Sequence, residues 1–226
     1  MAGDAGGEQA ASLGSRRNRV TPFGELVLGP RGAALMGNRG DLHDIDGRII
    51  RKRKSGNRRW IACSLSNDTG WRVPFDKPGH YTPLFFADEA TAFAAGHRPC
   101  SQCRNSHYRL FQNCWRAAFV LPKAPSADDM DTALEAARID AHGNQITRSM
   151  PLADLPDGVF LTLPEDANAP VLKWGEALFP WSLTGYGAPK TAQKTCLVTV
   201  LTPAPIIEVF RHGYRPATAI SPELCS

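Results

Sequence analysis

The stretch "FFADEATAFAAGHRPCSQCR", residues 85–104, constrains the local backbone more tightly than any other part of the sequence. Asp88 has the short acceptor side chain of an N-cap, Glu89 suits the positive end of a helix, and Gly96 supplies the left-handed residue that commonly ends one. A short helix over 89–95 is therefore predicted, followed at once by Cys100 and Cys103 at Cys-x-x-Cys spacing. A second helix is expected to start near Ser101 or Cys103 and run to Val120. Tyr108, Phe111, Trp115, Ala118 and Phe119 recur on one of its faces, and Pro122 prevents its continuation.

Two cysteines at this spacing admit three readings: a redox pair, two unliganded thiols, or half of a metal site. A redox pair of the thioredoxin kind needs a strand before the first cysteine, whereas here a helix precedes it. A turn leading into a helix N-terminus puts both sulfurs beside a positive dipole, which favours thiolates and suits structural zinc. Cys63, in the strand-like "WIACSL", is a third ligand in this reading. The fourth is sought among His43, His107, Asp41, Asp44 and water, with His43 the first choice. Cys114 and Cys196 lie in apolar patterns that read as core, and Cys225 is terminal.

Charge divides the chain. Up to Val120 there are 18 Lys and Arg against 10 Asp and Glu, and from Leu121 onward 8 against 12. A basic front that meets a polyanion and an acidic rear that does not is the implied arrangement. Within the front, "RKRKSGNRR" places six cations in nine positions. Arg51, Lys52, Arg53, Lys54, Arg58 and Arg59, with Arg48 just upstream, suit a phosphate backbone, and Trp60 suits stacking on a base. Arg98 and Arg104 bracket the cysteine pair and extend the same positive surface. DNA is the expected partner.

Three parts follow. Residues 1–18 are Gly, Ala and Ser-rich and read as a disordered tail. Residues 19–120 form a basic zinc-binding domain, and residues 121–226 an acidic, mostly β domain, with a boundary in the linker-like "LPKAPSADDMD". The rear part opens with a helix over "DTALEAARI", capped from the Asp128–Asp131 cluster. Strands follow at "GVFLTL", "PVLKWG", "ALFPWSL" and "CLVTVLT", and a last helix over "PIIEVFRHG" ends at Gly213. The fold class is α+β. The first fifteen residues show neither the basic start nor the apolar run of a leader, and no window holds about 18 consecutive apolar residues, so a cytoplasmic protein without a membrane span is expected.

The stretch 85–104 also resembles the N-terminal zinc domain of the bacterial Ada alkylation-response proteins, in its Phe-Phe, short helix, and Ala-Ala-Gly-x-Arg-Pro-Cys-x-x-Cys order. The resemblance spans roughly residues 40–120. It implies a small zinc-binding module in DNA repair, with four cysteines on one Zn2+ and methyl transfer from a DNA methylphosphotriester to an upstream cysteine. Cys100 and Cys103 match the downstream pair, and Cys63 matches one of the upstream pair and carries any thiol chemistry. Arg59 stands four residues before Cys63, where the other upstream cysteine would be, so the usual methyl acceptor is absent. Two alternatives remain beside a DNA-binding zinc protein. One is a metal-dependent nuclease using His43 with Asp44 or Asp46, and the other a protein-interaction module whose zinc is purely structural.

Overall fold

A computed structural model describes residues 17–30, 32–42, 57–65 and 81–220. His43, Asp44, Asp46, Arg48 and the basic run Arg51, Lys52, Arg53 and Lys54 lie outside the described residues, as do His80 and Cys225. Helices and strands are mixed, in keeping with the α+β class. No described helix is long and apolar enough to cross a membrane.

Among the described residues, two six-stranded sheets carry the fold. The front sheet contains β1 (Arg19–Val20), β2 (Leu26–Val27), β3 (Leu35–Asn38), β4 (Ile61–Ser64), β5 (Leu84–Phe86) and β6 (Arg98–Pro99), in the order β2-β1-β5-β3-β4-β6. β3 and β4 are antiparallel, with Met36 opposite Cys63 and Gly37 opposite Ala62. Gly37 is required there: a Cβ would stand 2.2 Å from the Ile61 carbonyl oxygen. β6 runs parallel to β4, so Ala62 faces Pro99.

Helix α1 (Glu89–Ala94) connects β5 to β6. Its predicted cap is present, since Asp88 accepts from the Thr91 amide at 2.8 Å and from the Thr91 hydroxyl at 2.7 Å. Gly96, at φ +80°, closes the helix: its amide donates to the Phe93 carbonyl at 2.8 Å and that of His97 to Ala92 at 2.9 Å. This is the paired C-terminal arrangement that a left-handed glycine permits. A side chain at Gly96 would also collide with Arg138, 2.7 Å from its Cδ.

Helix α2 (Asn105–Ala118) buries Tyr108, Phe111, Cys114 and Trp115, while Phe119 stays 40% exposed. It stops short of the predicted Val120 because that residue adopts a left-handed φ of 50°. Helix α3 (Ala127–Arg138) begins earlier than predicted. Its cap is Ser126 and not the acidic cluster, for Ser126 and Asp129 satisfy each other's backbone amides in a capping box.

The rear sheet holds β7 (Arg148–Pro151), β8 (Phe160–Leu163), β9 (Asp166–Trp174), β10 (Ala177–Ser182), β11 (Gly185–Tyr186) and β12 (Leu197–Val200), in the order β11-β10-β9-β8-β12-β7. Helix α4 (Ala204–Arg211) follows. β7 has no counterpart among the expected strands: three of its four residues are exposed, so it lacks the apolar alternation that signals one.

Packing does not follow the boundary expected near residue 121. Phe93, Tyr108, Phe111 and Trp115 from the front share one core with Met130, Leu134, Leu161, Ile206, Phe210 and Tyr214 from the rear. Phe93 stacks on Phe111 at 5.5 Å, and Tyr214 meets both rings edge-on at 5.4 and 5.5 Å. Buried aromatics of this size each contribute roughly 1.5–3 kcal/mol by leaving water. Segment composition reveals a linker but not this contact, because the partners are about 100 residues apart in sequence.

Candidate metal centre

β4 carries Cys63 next to the edge strand β6, and the chain leaving β6 delivers Cys100 beside it. The Cys100 amide donates to the Ala62 carbonyl at 3.0 Å, which prolongs the parallel pairing by one residue. A turn over Cys100–Arg104, held by the Arg104 amide on the Cys100 carbonyl at 3.3 Å, then folds Cys103 back. The sulfurs of Cys63, Cys100 and Cys103 all lie within 4.8 Å of one another. A tetrahedral site with metal–sulfur bonds of about 2.3 Å separates its sulfurs by about 3.8 Å, which a trio within 4.8 Å can accommodate.

The protons of the trio are unevenly held. Thiol hydrogen bonds from Cys103 and Cys63, joined by the backbone amides of Cys103 and Gln102, pull the Cys100 thiol far below its ordinary value. Cys63 is pushed up, first by its thiol bond to Cys100, then by that to Cys103 and by burial. Cys103 is pushed up chiefly by its bond to Cys100. Of the three, Cys100 is the thiol whose ionisation its surroundings favour most. The Ser64 amide donates to Cys103 Sγ at 3.4 Å, and such outer hydrogen bonds fix the orientation of ligating sulfur. Burial, and then the charge of the three cysteines, raises the Tyr81 phenol.

His107 is exposed and outside the cysteine group, with its ring Nδ1 3.4 Å from the Ser106 hydroxyl. Asp41 is also outside it. Beside Cys100 a cleft of ≈ 470 Å³ opens between the metal loop and the start of α3, lined by Arg59, Ile61, Arg98, Gln102 and Asp128 among others. Arg59 lines the cleft with a cation that cannot ligate a metal.

Three residues expected to contact DNA are internal. Trp60 is 5% exposed, with the guanidinium groups of Arg39 and Arg138 over its ring at 4.1 and 3.8 Å. Neither of its faces is offered to a base. Arg98 forms a two-pronged pair with Asp131, at 2.8 and 2.7 Å, and both are almost fully buried. Arg104 is buried on Glu89 at 2.7 Å. Cation pattern alone does not reveal this, because the partners lie 33 and 15 residues away.

Arg58 and Arg59 are exposed, yet each faces an acid of α3: Arg58 lies 3.5 Å from Glu135, and Arg59 3.6 Å from Asp128. Asp128, Asp131 and Glu135 follow one helical stripe, at spacings of three and four. Part of the charge asymmetry between the two halves is therefore complementarity across an internal contact. Sequence reasoning missed this stripe, although its spacing was readable.

Glu89 and Asp88 form a second buried hub. Glu89 accepts from Arg104, from the Tyr214 hydroxyl at 2.7 Å and from the Ala217 amide at 2.9 Å. Asp88 accepts from the Tyr186 hydroxyl at 2.6 Å and the Ala219 amide at 3.0 Å. Comparisons with protein-family models, curated proteins and solved structures gave no match.

Proposed function

We propose that this chain is a zinc-binding protein that binds DNA through its basic front half, in the manner the Ada resemblance implies but without the usual methyl-acceptor cysteine. The observation that carries this reading is the meeting of Cys63 with Cys100 and Cys103, sulfurs within 4.8 Å, from positions nearly 40 residues apart. Thiolate ligands of this kind select zinc and other soft metals over calcium or magnesium. The DNA part is supported by the excess of cations up to Val120 and by the run from Arg48 to Arg59.

Metal content of purified protein, set beside Cys63→Ser and Cys100→Ser, tests the zinc. Wild type without zinc, or variants that retain it, refutes the reading. For DNA, neutralising Arg51, Lys52, Arg53 and Lys54 together weakens duplex binding and flattens its salt dependence; affinity unchanged across several salt concentrations refutes that part. Mass spectrometry after exposure to methylated DNA tests alkyl transfer, and absence of a methyl gain on Cys63 rejects it.

One observation favours a second reading, a protein-interaction module with a structural zinc. Arg58, Arg59 and Arg98 are already matched by Glu135, Asp128 and Asp131. Duplex binding that is absent, or insensitive to salt, supports this alternative.

A further inference from the structure

Helix α2 begins two residues after Cys103, and its outward face carries a second kind of polar surface. Ser106, Arg109, Asn113 and Arg116 are all exposed and follow one stripe, at spacings of three, four and three. Leu110, 49% exposed, adds an aliphatic group beside them. From Ala90 to Ala127 the sequence has five Lys and Arg and no Asp or Glu. Arg98 and Arg104 are spent inside the protein, which leaves Arg109, Arg116 and Lys123 outward. Among the described ion pairs none involves Arg109 or Arg116; Arg116 makes only a 3.3 Å bond from Nε to the Leu121 carbonyl.

We infer that the exposed face of α2 reads the edges of base pairs in the major groove of duplex DNA. This rests on the DNA-binding reading above and names the element that gives it sequence preference. The charge of the face complements a polyanion, and the absence of carboxylates removes the repulsion an ordinary solvated helix would bring. The side chains are also those that distinguish bases. Arginine pairs two-pronged with guanine, asparagine with adenine, serine with several edges, and an aliphatic group meets the thymine methyl. Fourteen residues make a helix about 21 Å long, and the major groove, about 12 Å wide, admits one. The opposite face is anchored through Tyr108, Phe111 and Trp115, so the stripe is presented from a rigid support.

The test uses full-length, zinc-loaded protein and two probes: a randomised duplex library for selection, and a short mixed-sequence duplex for binding by fluorescence anisotropy. Wild type should enrich a defined sequence. Arg109→Ala with Asn113→Ala should lose roughly 10- to 100-fold in affinity for that sequence. The same variant should keep its melting temperature, its zinc and most of its affinity for mixed-sequence DNA. If wild type binds DNA but enriches nothing, or the double variant retains the preference, the assignment of α2 is overturned and DNA binding stands. If wild type binds neither probe even at low salt, the DNA reading itself is refuted and this inference falls with it.

Discussion

Cations in the front half occupy two contrasting surfaces. Toward α3, Arg58, Arg59 and Arg98 each meet a carboxylate on one stripe of that helix, and the pairing grows more buried from the rim at Arg59 to the centre at Arg98. Along the outward face of α2, Arg109 and Arg116 meet no carboxylate of the described chain. A positive count from sequence treats the two alike, yet the first is matched by carboxylates within the chain and the second is not. The difference teaches that cations must be sorted by partner before net charge is read as function.

Four measurements break or sharpen this contrast. The largest effect is expected at the proposed zinc site: Cys63→Ser or Cys100→Ser should remove the metal that wild type carries, read by elemental analysis. Next, Asp131→Ala leaves Arg98 buried without its counter-charge, and chemical denaturation should show a loss of about 3–5 kcal/mol. A far smaller loss would mean that the Arg98 site is wetter than its burial indicates.

The third measurement uses pH. His97 is enclosed by Phe86 at 4.6 Å and Trp60 at 5.3 Å, and Arg39 Nε donates to its Nε2 at 3.4 Å. Burial, then the Arg39 and Arg138 charges, hold it well below its ordinary 6.5, so the folded chain keeps it neutral. Below that ordinary value the unfolded chain takes up a proton that the folded chain refuses. His97 therefore contributes fully at higher pH, and its contribution is lost as pH falls, at up to about 1.4 kcal/mol per pH unit. Denaturation midpoints across pH should show this slope, and His97→Gln should flatten it. The smallest effect belongs to the rim: Arg59→Ala should change stability by less than about 1 kcal/mol, because that pair is exposed to water and salt.

Local chemistry explains what was legible in the sequence. Asp88 and Gly96 specify the ends of α1 through their own backbones and nearest turns, and the apolar spacing of α2 identifies its buried face. Cys100 and Cys103 stood out by their spacing, for which half of a metal site was one of three readings, and Cys63 entered that reading from a strand-like stretch upstream. What was hidden is non-local. Trp60 reads as a base-stacking ring until Arg39 and Arg138 are seen to cover it, and a linker composition at residue 121 conceals a core shared by Phe111 and Tyr214. The early start of α3 was missed for a local reason, as Ser126 with Asp129 is a capping box that the neighbouring acids disguised.

The clasp on α1 has a consequence for how the chain is made. Glu89 and Asp88 belong to the front half, but their partners Tyr186, Tyr214, Ala217 and Ala219 are translated much later. A buried carboxylate without its donors is costly, so α1 cannot settle while those residues are still inside the ribosome. The buried hub around α1 is therefore completed only once residues 186–219 have been made.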